Sequence, residues 1–134
     1  MIRLAIGVVA GFVAFGVIIV LTTFIVGAAW PELANVEDPL DYTNPMRFFR
    51  LGIGAAATLV GGAAAGLVSR RGRLAGLVLG VVFVIGFVPV HISLWTSFPV
   101  WYHATFLIYL IPLSLAGAAM FPGAPPRTGA AASQ

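Results

Sequence analysis

The amino-acid sequence predicts an all-α integral membrane protein: a four-helix bundle with antiparallel up-down topology and both termini in the cytoplasm. Of its 134 residues, 60% are hydrophobic and only 8% are charged, whereas soluble domains carry about 25% charged residues. The apolar residues form four long runs, and a helix needs about 20 such residues to cross a bilayer. From this length we expect one domain and no catalytic domain outside the membrane.

The membrane domain is expected to comprise residues 1–120. Its predicted helices cover approximately residues 3–29, 45–69, 74–95 and 99–120. Residues 121–134 are rich in proline, glycine and alanine, which predicts a disordered cytoplasmic tail. The first segment could also be a signal peptide, but its apolar run is much longer than the roughly 7–15 residues of a signal core.

The connections between the four segments are predicted from turn-forming residues and prolines. Residues 30–46 are expected to form a polar loop. Asn44 is expected to cap the second segment, with Pro45 at its first helical position. Residues 70–73 make so short a turn that the second and third segments must be antiparallel neighbours. Ser97 is the expected cap of the fourth segment.

The placement of the basic residues predicts the orientation in the membrane, because cytoplasmic loops carry an excess of Lys and Arg. All seven basic residues are arginines. One side of the bundle has five of them: Arg3, Arg70, Arg71, Arg73 and Arg127. The other side has two arginines together with all four acids. That side also has the aromatic residues expected at a membrane boundary: Trp30, Tyr42, Trp95, Trp101 and Tyr102.

Small residues recur at four-residue spacing in the first three segments, which places them on one face of each helix. Glycine in a helix costs about 1 kcal/mol relative to alanine, so its repeated use indicates close helix packing. The predicted packing residues are Gly7, Gly11, Gly54, Gly62, Gly66, Gly76 and Gly80. They either pack helices within one chain or face another copy or a partner protein. Most lie in the cytoplasmic halves, so we expect a bundle that is tight inside and looser outside.

Polar residues within membrane segments are the first candidates for a functional site. His91 and His103 are expected at nearly equal depth on adjacent helices, with Thr22 and Thr23 at a similar level. These four residues form the candidate outer polar pocket. The imidazoles could sit near the headgroups, bonded to water, lipid or a neighbouring helix. They could instead bind a metal or haem, or line a ligand-binding or pH-responsive pocket that opens outward.

A second candidate cluster combines charges at the outer start of the second segment. Arg47 and Arg50 lie three residues apart and therefore share a helix face. The loop acids Glu37, Asp38 and Asp41 are within reach in the sequence. Salt bridges that tie the loop down are expected, and an anionic headgroup or partner is the alternative ligand. A calcium site is disfavoured because the spacing of the acids matches no calcium loop.

The composition argues against an enzyme. The chain has no cysteine, which excludes thiolate nucleophiles, and no acid accompanies either histidine at a helical spacing. No charged residue lies in the middle of a segment, which argues against an exporter built around an embedded glutamate.

We therefore expect a multi-pass protein of the bacterial cytoplasmic (inner) membrane that acts by interaction, as an accessory subunit, an assembly factor or a structural protein. The alternative is a small transport or sensing protein with an outward-facing pocket near His91 and His103. The expected partners are the lipid bilayer and either a second copy or a larger membrane complex. No nucleic acid, cofactor or metal is expected.

Overall fold

The structure, a computed structural model, describes residues 1–121. These residues form five α-helices and one short 3-10 helix. The α-helices are α1 (Ile2–Ala29), α2 (Pro31–Ala34), α3 (Asn44–Ser69), α4 (Gly72–Ser93) and α5 (Val100–Ala119). All except α2 are long and apolar enough to span a membrane. The predicted all-helical fold is therefore confirmed, with four helices that are long and apolar enough to span a membrane. The predicted tail beyond Phe121 lies outside the described residues.

Two predicted helix caps are wrong. The capping residue of α3 is Thr43, without a side-chain hydrogen bond, and Asn44 is already helical. The Asn44 side chain instead accepts a hydrogen bond from Arg47 at 3.1 Å. The capping position of α5 is Pro99 in an extended conformation, because Ser97 belongs to the preceding turn, where its N–H donates to a backbone carbonyl.

The segment between α1 and α3 is more ordered than the predicted polar loop. It contains α2 and a 3-10 helix, Pro39–Asp41. Proline begins both elements, where its missing N–H costs no hydrogen bond. Asp38 caps the 3-10 helix by accepting a hydrogen bond from the Leu40 N–H at 2.9 Å. Leu33 is only 4% exposed, so this segment packs back onto the bundle.

The directions of the helices follow from contacts between their ends. The start of α1 lies against the end of α3, since a Cβ atom built at Gly7 would be 2.6 Å from the Ser69 Cβ. The starts of α3 and α5 lie together, because the Phe48 ring stacks on Trp101 at 5.1 Å. We call the end with Arg3, Arg70, Arg71 and Arg73 the arginine end. The aromatic end contains Trp30, Tyr42, Trp95, Trp101 and Tyr102.

Helix α3 is the central helix of the bundle, packed against α1 and α5, while α4 packs mainly against α5. The backbones approach closely at glycines. A Cβ atom at Gly11 would lie 2.6 Å from the Gly61 carbonyl oxygen, and one at Gly76 would lie 2.7 Å from that of Ser114. All seven predicted packing glycines face other helices of this chain: Gly7 and Gly11 meet α3, and Gly54, Gly62, Gly66, Gly76 and Gly80 meet α5.

The buried core follows the line where these helices meet. The larger apolar cluster comprises Phe15, Ala57, Ala65, Ala75, Leu79, Phe83 and Leu110. A smaller cluster at the aromatic end comprises Leu51, Phe98 and Tyr102. A cavity lies between α1, α3 and α5 and extends toward this smaller cluster.

Candidate functional site

The two histidines form a buried pair between α4 and α5. Their Nδ1 atoms are 2.7 Å apart, and the residues are 6% and 1% exposed for His91 and His103. At this separation one Nδ1 carries a proton and donates it in a hydrogen bond to the other. The pair therefore joins the last turns of α4 to the first turn of α5, across the connection between them.

Aromatic rings enclose the histidine pair. Trp95 stacks on His103 with a centroid distance of 5.0 Å and an interplanar angle of 14°. Phe106 packs against His91 at 4.7 Å, and Phe98 meets His103 edge-on. Among the described residues, His103 Nε2 is buried and has no hydrogen-bond partner. The pair is thus a polar contact inside an otherwise apolar enclosure.

The distance between the imidazoles tests whether His91 and His103 bind a metal ion or another ligand between them. The two Nδ1 atoms are 2.7 Å apart. A metal ion bonded to both of them at about 2.0–2.1 Å with tetrahedral angles would require a larger separation. Within residues 1–121 no group of three or more His, Cys, Asp or Glu side chains is placed to hold an ion. The rings are in direct contact, so no ligand cavity lies between them. His91 and His103 bond to each other across adjacent helices.

The structure divides the four residues of the predicted outer pocket between two places, because Thr22 and Thr23 line a cavity that His91 and His103 do not line. The Thr22 and Thr23 hydroxyls donate to the carbonyls of Ile18 and Ile19, at 2.6 and 2.8 Å. Both threonines line the cavity between α1, α3 and α5, and neither histidine does. The Phe106 ring lines this cavity and also packs against His91, so it separates the two places.

The cavity at the aromatic end has a volume of about 570 Å³, within the range of roughly 300–1,000 Å³ for small-molecule sites. Its walls are mainly apolar side chains, and the buried Leu33 of α2 is one of them. On α1 the lining residues extend from Phe12 to Val26, a length of about 21 Å at 1.5 Å per residue. The cavity is therefore long, narrow and mostly apolar.

One charged side chain lines this cavity among residues 1–121, that of Arg50. Its Nη1 donates a hydrogen bond to the Tyr42 hydroxyl at 3.1 Å. Its guanidinium carbon also lies 4.8 Å from the centroid of the Tyr42 ring, in the range of a cation–π contact. A cationic group is thus held by an aromatic partner at the edge of an apolar cavity.

Arg47 and Arg50 were predicted to form salt bridges with the loop acids, but they have other partners in the structure. The arginine hydrogen bonds go to Asn44 and Tyr42 rather than to acids. Glu37, Asp38 and Asp41 are all exposed. The physical reason is local, because the Asp38 carboxylate already caps the 3-10 helix, and Tyr42 offers both a hydroxyl and a ring face.

Most residues that line the cavity were absent from the sequence-based candidates, and Tyr42 and Gly16 are the two that matter most for its chemistry and space. Tyr42 was assigned only to the membrane boundary, although an aromatic ring near Arg50 in the sequence could have indicated a cation–π contact. Gly16 lies outside the four-residue stripe of Gly7 and Gly11. A Cβ atom at Gly16 would meet no atom within 4 Å, so this glycine borders open space instead of packing against a helix.

Four spanning-length helices around an apolar cavity define a small multi-pass helical membrane protein. Comparison with protein-family models, curated proteins and solved structures finds no match for this chain. Its function is therefore inferred from its own residues.

Proposed function

We propose that this protein acts by interaction rather than by chemistry, and that it binds an amphipathic molecule in the cavity between α1, α3 and α5. The observation that carries the proposal is the shape and lining of this cavity. Its walls are apolar, it is about 570 Å³ in volume, and its charged lining residue is Arg50. An apolar chain would lie along α1, with an anionic or polar group near Arg50 and Tyr42.

The threonines in the wall are compatible with an apolar chain. The hydroxyls of Thr22 and Thr23 already donate to backbone carbonyls of their own helix. A ligand therefore need not satisfy them, since buried polar groups are costly only when they lack a hydrogen bond. The polar end of the ligand would find its donors at Arg50, whose charge favours an anion.

Filling the cavity tests this proposal. We expect Gly16→Leu to weaken the binding of a fluorescent fatty acid by about tenfold or more, because the new side chain occupies open space in the cavity. The thermal stability should change little, because no atom lies within 4 Å of the new Cβ. Fluorescence titration of the purified protein in a non-ionic detergent measures the affinity.

Gly86→Leu is the matched control for this experiment. Gly86 is also a helical glycine whose Cβ would meet nothing within 4 Å, but it is exposed on α4 and does not line the cavity. The control should bind the fatty acid as the unmodified protein does. Equal affinities for the Gly16 and Gly86 variants would show that the probe binds elsewhere and would exclude this cavity as the site.

We further propose that the protein lies in a bacterial cytoplasmic membrane with the arginine end inside, so that the cavity opens near the outer face. The support is the excess of arginines at one end, since cytoplasmic loops carry an excess of Lys and Arg. Trp and Tyr at the other end mark a membrane boundary there. The proposed topology is thus up-down with both termini in the cytoplasm.

Single cysteines test this orientation cleanly, because the chain has none of its own. A membrane-impermeant maleimide should label Thr96→Cys in intact cells, since Thr96 is exposed in the turn at the aromatic end. It should label Phe121→Cys, at the arginine end, only after the membrane is permeabilised. The reversed labelling pattern would place the arginine end outside and overturn the proposed topology.

A second candidate function, as an accessory or assembly protein beside other membrane proteins, is favoured by the outward face of α1. Only Gly7, Gly11 and Phe15 of this helix are buried, and large side chains that do not line the cavity, such as Val13 and Phe24, are exposed. Native mass spectrometry of the complex extracted from membranes distinguishes this role. A second protein or second copy in stable ratio would support it, and a monomer with lipid alone would exclude it.

A further inference from the structure

A second cavity lies at the arginine end and has a different chemical character. It measures about 600 Å³ and is formed by the start of α1 and the turn between α3 and α4. Three of its lining residues are arginines, namely Arg3, Arg70 and Arg71. Two more, Met1 and Ile2, are apolar and strongly exposed. Positive charge and apolar surface therefore meet in one cavity.

Within residues 1–121, no acidic side chain lies at the arginine end of the bundle. All four acidic residues of the chain lie between Glu32 and Asp41, beyond the far end of α1. That helix has 28 residues, a length of about 42 Å. Within residues 1–121, the arginine side-chain hydrogen bonds come from Arg47 and Arg50 at the aromatic end. Three like charges in one cavity repel each other, so an anion would stabilise them.

The backbone conformation of the turn between α3 and α4 fixes the positions of Arg70 and Arg71. Arg70 ends α3 in the left-handed conformation, with φ 56° and ψ 22°, where glycine is the usual residue. The Arg70 N–H donates to the Gly66 carbonyl at 3.0 Å, and the Arg71 N–H donates to the buried Ser69 hydroxyl at 3.1 Å. An arginine thus stands at a position where the backbone alone would favour a residue without a side chain.

We propose that this cavity binds the phosphate headgroup of an anionic phospholipid. Guanidinium groups pair with phosphate oxygens in bidentate hydrogen bonds, and basic pockets between helices at the membrane boundary are suited to anionic headgroups. The exposed Ile2 and Met1 beside the arginines give the lipid its apolar contacts. Phosphate in solution would leave these two side chains without a partner, which favours a lipid as the source of the phosphate.

The test compares two lipids in detergent micelles of the purified full chain. We expect phosphatidylglycerol to be retained over phosphatidylcholine by about tenfold or more, as measured by native mass spectrometry. The double substitution Arg3→Gln/Arg71→Gln should remove this preference without changing phosphatidylcholine binding. Arg73→Gln is the matched control, because Arg73 lies in the first turn of α4, two residues after Arg71, and is exposed but does not line the cavity. This control should retain the preference.

Arg70→Gly separates ligand binding from folding. Glycine suits the left-handed conformation at this position, so the melting temperature should stay the same or rise while the phosphatidylglycerol preference falls. A preference that survives in Arg3→Gln/Arg71→Gln, or falls equally in Arg73→Gln, would overturn the site. Inorganic phosphate that displaces phosphatidylglycerol at equal concentration would show that free phosphate, not lipid, is the ligand.

Discussion

Gly62→Leu is expected to prevent the bundle from folding, whereas Gly52→Leu on the same helix should leave it intact. A Cβ atom at Gly62 would overlap the backbone carbonyl group of Ser114 on α5. A side chain can rotate away from such an overlap, but a helix backbone cannot, so α3 and α5 would have to separate. Overpacking usually costs about 1–3 kcal/mol, and we expect this substitution to exceed the upper value because backbone is displaced.

Gly52 provides the control because it is exposed and its Cβ would meet no atom within 4 Å. Heating each purified variant in detergent while following tryptophan fluorescence measures the effect, since the chain has three tryptophans. The Gly62 variant should unfold at a much lower temperature or fail to give a monodisperse species. Similar melting temperatures for the Gly52 and Gly62 variants would show that α3 and α5 do not pack through this glycine.

The histidine pair gives the second large expected effect. His91→Leu should lower the free energy of unfolding by about 1–3 kcal/mol, the usual cost of an unsatisfied buried polar group. The reason is that His103 Nδ1 would lose its partner at 2.7 Å, while its Nε2 already has none among the described residues.

A double-mutant cycle measures this coupling. His91→Leu/His103→Leu should cost less than the sum of the two single substitutions, because no unpaired imidazole remains. Unfolding by heat or denaturing detergent gives the four free energies. Strictly additive effects would mean that the two imidazoles do not bond to each other in the folded protein.

The spans were predictable because hydropathy and length alone decide whether a segment can cross a bilayer. The predicted start of the first segment was within one residue of Ile2, and its predicted end coincides with Ala29. The third segment was predicted to run to about Trp95, but α4 ends at Ser93. Helix ends depend on local capping and turn contacts, such as that of Asn44 with Arg47, which hydropathy does not report.

The candidate pocket was only partly predictable, for a geometric reason. Counting residues along each helix gave the depth of Thr22, Thr23, His91 and His103 in the bundle. It did not give the direction in which each side chain points around the bundle. The structure directs the threonines into one cavity and the histidines toward each other, with Phe106 between them.

The sequence by itself determined that four helices are long and apolar enough to span a membrane, and it separated the arginine end from the aromatic end. These properties depend on composition and order along the chain. Only the tertiary structure decided that α3 lies between α1 and α5. This arrangement places Gly16 and Arg50 at one cavity. It places Arg3 and Arg70 at the other cavity. The physical reason is that close backbone contacts at glycines set how each helix is rotated, and that rotation selects which side chains meet.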